Sequence, residues 1–373
     1  MNIQLSGIRG ALVRMSCDTL EPSLSYFVQS LGFRIDAIYP ADSPTTAILS
    51  GYGLGIELVS GTRDGVQSLS LLCDNPNDVA QGARELIAPN GVRIQLAWAD
   101  PPMQLPETQQ ALVISHANAE ATWSVGRAGL RYRDLLPQRH GGAFIASHIR
   151  ILEGGPVPDY VHFHKIRFQM IFCRKGWVRV VYEGQGESFL MHAGDCVLQP
   201  PMIRHRVLES SAGAEVVEIG SPAKHITIAD HQMTLPNAPL PPEHDFGGQR
   251  FVFHRAAQAT WQPWRIAGFR VRDTGIGAAT SGLAGARVVR FVKPGELNVQ
   301  LSAQQHATEF CFYFVLAGQL TLHLGDASHV LQADDSVTLP SGQRYAFTHC
   351  SDDLELLEVT LPDAFDARLE ALA

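Results

Sequence analysis

The sequence predicts a mainly β protein in which a small α+β domain precedes two β-barrels. Three observations carry that expectation. From Leu130 onward, short alternating strands succeed one another between Gly and Pro turns, the pattern of a sandwich or barrel. A stretch beginning at His162 recurs about 140 residues later. Ahead of both copies, the first 105 residues mix a helical period with strand periods.

At 373 residues the chain is long enough for two or three domains. A composition of 45% apolar and 18% charged residues supplies sizeable cores. The 29 basic and 37 acidic residues give a net charge of −8, which argues against a nucleic-acid surface. No charged segment followed by an apolar core stands at the N-terminus, so no signal peptide is expected. No apolar run reaches the roughly 18 residues of a membrane span, so no membrane partner is expected either. The six cysteines, Cys17, Cys73, Cys173, Cys196, Cys311 and Cys350, are scattered without a CxxC. That is the pattern of reduced, buried thiols in a cytoplasmic protein.

In the domain spanning residues 1–105, Ile8–Met15 reads as a strand. Asp18 caps a helix over Leu20–Leu31, and Gly32 ends it. Strands follow at Phe33–Tyr39, Thr45–Leu49 and Leu54–Leu58. A shortened second half has a strand at Val66–Leu72, a helix over Asn77–Leu86 and the stretch APNGVRIQLAWADP from Ala88. This βαβββ order, with LEPSLSYFVQSLGFRI and TTAILSGYGLGIELVSG, resembles the glyoxalase/bleomycin-resistance (vicinal oxygen chelate) superfamily. Metal-binding members carry a His on the first strand, and His or Glu on strands of both halves. Here Glu57 and Gln95 stand at two such places, but no His occurs before His116. The resemblance therefore implies a metal-free domain that packs, dimerises or shields, and a homodimer is compatible with it.

Residues 106–126 read as a connector with one weak element, including the run His116-Ala117-Asn118-Ala119-Glu120-Ala121. The first barrel is expected over 127–225. Its strands are Phe144–Leu152, Met170–Cys173, Trp177–Tyr182, Ser188–Met191 and Cys196–Gln199, with Val207–Glu209 and Val216–Ile219 closing it. Residues 221–248, rich in Pro, read as a linker draped over the surface. A second barrel is expected over 249–363.

The chemistry concentrates in the first barrel. His162 and His164, two apart on a strand, point to one face. His205 follows a Gly194-Asp195 turn and Pro200. Three neutral imidazoles converging on one side of a barrel suit a divalent transition metal, whether Fe, Ni, Zn, Mn or Cu. The stretch from His162 to Gly176 resembles the first signature of the cupin superfamily, HxH-x(3,4)-E-x6-G. The stretch from Gly194 to His205 resembles the second, G-x5-P-x-G-x2-H. Three positions depart from the pattern. Gln169 stands where a Glu ligand is usual, Met202 where a Gly is usual, and the Gly ahead of the histidines is displaced to Gly155.

The repeat makes this a bicupin by resemblance. HFHKIRFQMIFCRKG (162–176) aligns without gaps on QQHATEFCFYFVLAG (304–318), and AGDCVLQPPMIRH (193–205) on ADDSVTLPSGQRY (333–345). Gln304 replaces His162, Cys311 replaces Gln169 and Tyr345 replaces His205, while His306 survives. The second barrel is accordingly read as degenerate and without metal.

Each candidate has a plainer alternative. The histidine trio is either a metal site, with Gln169 as a fourth ligand or as a partner of metal-bound water, or the lining of a polar pocket. Alternation puts Arg167 on the face of Gln169, where it would clasp a carboxylate; otherwise it lies on a solvent face. The same choice holds for Arg150 beside His148. Tyr160 is either a proton donor near His162 or ordinary core. Three His ligands leave the ion's charge intact and coordination positions open, which favours a small anionic or enolic substrate. The resemblance to bicupins implies a dioxygenase. The rivals are an isomerase, lyase or hydrolase without O2, and a non-catalytic binding protein. An O2-free reaction needs a general base, and the sequence displays none near the histidines.

Overall fold

The computed structural model describes residues 6–61, 68–87, 93–117, 123–126, 129–292, 302–364 and 368–371. Val66, Gln67, residues 88–92 and the 118–121 part of the connector lie outside the described residues.

The first hundred residues form one mixed sheet. Its order is Arg34–Tyr39, Thr46–Gly51, Leu54–Ser60, Ile8–Cys17, Ser68–Cys73, Arg93–Trp98, Glu85–Ile87. Ile8–Cys17 runs parallel to Leu54–Ser60 and antiparallel to Ser68–Cys73. Leu20, Phe33, Ile38, Leu49, Ile56 and Leu58 pack together on one face, beneath the helix Leu20–Ser25 and its π-helical continuation Tyr26–Ser30. The helix expected over Asn77–Leu86 is corrected to a single turn, Pro76–Val79. Gln81 and Gly82 adopt φ of 52° and 88°, which an α-helix of L-residues cannot continue through.

Beyond residue 110 the regular elements of the described residues are almost all strands, and strand alternation divides their side chains between two destinations. Along Phe168–Lys175, Phe168, Met170 and Phe172 face the second barrel, while Gln169, Ile171 and Cys173 face the interior of the first. Along Phe310–Ala317 the same split holds. Phe310, Phe312 and Phe314 join the shared core, and Cys311, Tyr313 and Val315 line the second barrel. Two barrels thus stand face to face on one apolar layer, in which the rings of Phe144 and Phe310 stack 4.3 Å apart.

The barrels also trade strands. Val113–Ser115, ahead of the first barrel, pairs with Ser336–Thr338 of the second. Val252–His254, ahead of the second, pairs with Cys196–Leu198 of the first. Each exchange is clamped by the aspartate of a Gly-Asp or Asp-Asp turn. Asp335 accepts the Ala117 N–H at 2.7 Å, and Asp195 accepts the Ala256 N–H at 2.8 Å. Arg133 donates to the Asp334 carbonyl, and Arg272 donates to the Gly194 carbonyl. Gly176 and Gly318 turn the chain from one sheet to the other at corresponding places, at φ 71° and 72°, where a Cβ would fall 2.3 and 2.2 Å from the hydroxyls of Ser211 and Ser351.

The stretch 221–248 is more than a surface linker. Thr227–Ala229 is a strand that pairs with His162–His164 on one edge and with Arg34–Tyr39 on the other. The sheet of the N-terminal domain therefore runs on into the sheet of the first barrel. No helix among the described residues is long and apolar enough to cross a membrane.

Removing a ring from the shared layer leaves a cavity against two barrels at once. Phe310→Ala is expected to cost about 3–5 kcal/mol, whereas Arg179→Ala, which breaks a half-exposed pair with Glu209, should cost less than about 1 kcal/mol. The shift of the denaturant midpoint for each variant checks the contrast.

Candidate metal centre

His162 and His164 are held from both sides. The backbone of His162 pairs with His205 and with Ala229, and that of His164 with Thr227. All three imidazoles are buried. Their ring centroids lie 4.3 to 5.1 Å from one another. One nitrogen of each forms a group in which the three atoms all lie within 4.8 Å of one another.

The other nitrogen of each ring is engaged behind the site. His162 Nδ1 is 2.7 Å from the Tyr160 carbonyl and 3.6 Å from the buried Asp159 carboxylate. His205 Nδ1 is 3.0 Å from the Ile203 carbonyl. His164 Nδ1 is 3.1 Å from Thr227 Oγ1. An Nδ1–H committed to a carbonyl fixes the tautomer in which Nε2 carries a free lone pair, the arrangement of histidine metal ligands. The donor set and its backing both fit a divalent transition ion.

Met202 accounts for the missing glycine of the second signature. It holds φ 64°, its N–H donates to the His164 carbonyl at 3.1 Å, and Ile203 closes the turn on the Pro200 carbonyl. Gly342, its counterpart in the second barrel, holds φ 79°. The left-handed turn is thus kept without the glycine, at a steric cost of about 1 kcal/mol.

Beside the histidines runs a chain of hydrogen bonds. Tyr182 donates to Gln199 Oε1 at 2.7 Å. Gln199 Nε2 donates to Gln169 Oε1 at 3.1 Å and lies 3.3 Å from His205 Nε2. Gln169 Nε2 donates to Glu218 Oε1 at 2.5 Å. These residues and His164 line a cavity of about 90 Å³ whose remaining walls are largely apolar, including Ile149, Ile171, Val180 and Val216. Burial pushes the Tyr182 phenol far above its usual range, so it keeps its proton and donates it to Gln199.

Glu218 was not singled out by sequence reasoning. The signal was there: a carboxylate at the inward position of the strand Ala214–Ser221, directly across from Ile171. His225 was also missed. It is buried, its ring centroid is 5.3 Å from that of His164, and burial depresses its pKa so that it stays neutral.

Two sequence candidates fall elsewhere. Arg167 does not turn inward with Gln169. It precedes the strand Phe168–Lys175, so strand alternation does not govern it, and its guanidinium pairs with Glu309 of the second barrel at 3.3 Å. Tyr160 sets its ring against His162, with centroids 5.8 Å apart, and lines a cleft toward the N-terminal domain. His148 and Arg150 both bind Glu215, at 2.7 and 3.1 Å. Burial raises Glu215, but those two partners overcome it and hold the carboxyl down to about 2. Asp334 lies close enough to complete a second group of potential ligands with His148 and Glu215. Arg174 binds its carboxylate at 3.0 Å. Arginines already serve both carboxylates of that group, which makes it a clamp between the barrels.

Residues 289–360 match the cupin domain family. The match falls on the second barrel, where the histidines are largely gone, so it follows the apolar and turn pattern of the fold and not the ligands. No curated protein matches the chain. Among solved structures, the formate complex of an oxalate decarboxylase from Lactobacillus farciminis is 14% identical over 71% of this chain and 90% of that one, with a TM-score of 0.51. An oxalate decarboxylase variant from Bacillus subtilis is 14% identical over 69% and 79%, at 0.49. A salicylate 1,2-dioxygenase variant from Pseudoaminobacter salicylatoxidans is 13% identical over 61% and 75%, at 0.47. The first of these likenesses establishes the fold, two cupin barrels in one chain.

If the three imidazoles hold the ion, His205→Ala should abolish stoichiometric metal, read by elemental analysis of purified protein. Thr227→Val, which touches no ligand nitrogen that faces the centre, should weaken metal affinity about 10- to 100-fold. Unchanged affinity would mean that the Thr227 hydroxyl does not orient His164.

Proposed function

We propose that the chain is a metal-dependent enzyme acting on a small anionic or enolic metabolite in the first barrel, with a dioxygenase as the first reading. The observation that carries it is the hydrogen-bonded path from His205 through Gln199 and Gln169 to the Glu218 carboxylate, which runs beside the three grouped histidines and along one narrow, mostly apolar cavity. A divalent ion held by His162, His164 and His205 would supply a Lewis-acid centre with open positions. Its undiminished charge favours a substrate oxygen bearing negative charge. The apolar walls restrict water, which strengthens each polar contact inside.

The residues of the chain divide the remaining work. Gln169 orients a polar group of the substrate or a water, because its amide is pinned by Glu218 on one side and Gln199 on the other. Glu218 receives or returns a proton. Tyr160 positions His162 through its carbonyl, and Arg167 joins the barrels. Glu218 also supports a second reading. An isomerase, lyase or hydrolase without O2 needs a base within reach of the substrate, and Glu218 offers the group that the sequence reading lacked.

The units proposed are 127–225 for the catalytic barrel, 249–363 for the degenerate one and 1–105 for a glyoxalase-like support in a cytoplasmic protein. A metal-free role for the support is favoured by Arg14, which lies 3.5 Å from Glu57 and 3.3 Å from Gln95, the two residues at ligand-like places.

Oxygen uptake with a panel of enols, catechols and small carboxylates separates the readings. Uptake stoichiometric with product supports the dioxygenase; turnover that persists without O2 supports proton transfer. Under either reading, Glu218→Gln should keep the metal and lose about 10²- to 10⁴-fold in kcat. Gln169→Ala should also keep the metal. Gln169→Glu should bind metal at least as well yet lose affinity for an anionic substrate. Loss of the metal from Gln169→Ala as complete as from His205→Ala would make Gln169 a true fourth ligand and overturn the open three-histidine centre.

A further inference from the structure

The second barrel repeats the first strand by strand but not at its centre. Gln304, Tyr345 and Cys311 stand where the first barrel has His162, His205 and Gln169. One inward group is common to both. Glu218 faces Ile171 across the sheet, and Glu358 faces Tyr313 in the same register. Glu358 is fully buried, and a lone buried carboxylate would be costly.

Arg265 answers that charge. It lies between the strands Gln262–Pro263 and Phe269–Asp273 and sends its guanidinium into the barrel. Nε donates to Gln304 Oε1 at 2.8 Å. Nη1 donates to Glu358 Oε1 at 3.1 Å, and Nη2 donates to the Tyr313 hydroxyl at 2.8 Å and to Glu358 Oε2. The Tyr313 hydroxyl is also 2.8 Å from Glu358 Oε2 and 2.9 Å from the Tyr345 hydroxyl. Arg287 approaches the same carboxylate at 3.6 Å.

We propose that the second barrel carries a built-in cation, the Arg265 guanidinium, at the centre where the first barrel gathers its metal ligands. The positional match is direct. Gln304, the counterpart of His162, accepts from Nε. Tyr345, the counterpart of His205, is reached through Tyr313. Glu358, the counterpart of Glu218, takes two guanidinium nitrogens. A planar group with five fixed donors and a permanent charge ties these strands as a metal would. It also occupies Glu358 and Gln304, the groups a divalent ion would need there. His306, the one surviving histidine, is pushed down to about 4 by burial and by the Arg265 charge, and its Nδ1 faces Thr308 Oγ1 at 2.8 Å. The second barrel is then a structural partner that stays folded whatever the metal supply, and only the first barrel depends on it.

The test is a double-mutant cycle on the full chain, joined to metal stoichiometry. Arg265→Met and Glu358→Gln should each lower Tm by about 5–10 °C, because each strands a buried partner. The double variant should lose clearly less than the two losses added. Additive losses would overturn the proposal, as would an unchanged Tm for Arg265→Met. Should Arg265→Met fail to fold, recovery of folding by the double variant makes the same point, and failure of both counts against it. Zinc titration of the wild-type chain should saturate at one ion. A second ion that survives His162→Ala/His164→Ala would overturn the proposal. The variant Arg265→Met/Gln304→His/Tyr345→His should take up one zinc more than the wild type.

Discussion

Thr227, Ile228 and Ala229 hydrogen-bond the strand of the metal histidines on one side and the edge of the N-terminal sheet on the other. Three residues cannot hold a strand alone. This strand persists because both of its edges are occupied, and each neighbour depends on it in turn. Thr227 carries the hydroxyl behind His164. Asp230, which follows, binds Arg204 at 3.0 Å, and Arg204 lies over the ring of Phe163, between the two histidines. The position of the N-terminal domain and the orientation of His164 are therefore one structural variable. That coupling gives the domain a structural role at the candidate centre.

The two barrels are bound in a comparable way. A strand preceding each barrel completes the other, and an aspartate in each clamps the strand it receives. Their shared layer is built from alternate residues of the very strands whose other residues line the two interiors. A substitution at Phe168 or Met170 thus moves Gln169 as well. Close packing transmits such shifts because interiors hold few voids to absorb them.

Much of this was legible in the sequence because it is local or repeated. The spacing of His162 and His164, the turn at Gly194-Asp195 and the third histidine lie in two short stretches. The copy at 304–345 exposed the repeat even where ligands had changed. What escaped was non-local. Thr227–Ala229 sits amid prolines and polar residues, and only its two distant partners make it a strand. Glu218 reads as one acid in an apolar run until its register against Gln169 and Ile171 is known. Arg167 shows the limit of alternation, which holds within a strand and lapses one residue before it begins. Met202 shows that a motif glycine records a backbone angle, which another residue adopts when the turn around it is well fastened.

The repeat also separates what the fold requires from what the chemistry requires. Both barrels keep the glycine between the two sheets, the left-handed turn, the aspartate clamp and one inward glutamate at the same register. They differ in what stands beside that glutamate. In the second barrel a guanidinium from the chain meets Glu358 and binds Gln304. In the first, the neighbouring groups are an amide and three imidazoles, two of them held by backbone carbonyls at Nδ1 and one by the Thr227 hydroxyl. An inward carboxylate in an apolar barrel is stabilised by positive charge nearby. A divalent ion on the three histidines would bring that charge while leaving positions open for a ligand, which a guanidinium already bound to Glu358, Tyr313 and Gln304 cannot do. The same scaffold thus holds a closed, self-neutralised centre in one half, and under the proposed function an open, ion-dependent one in the other, the difference resting on whether the cation is covalently part of the chain.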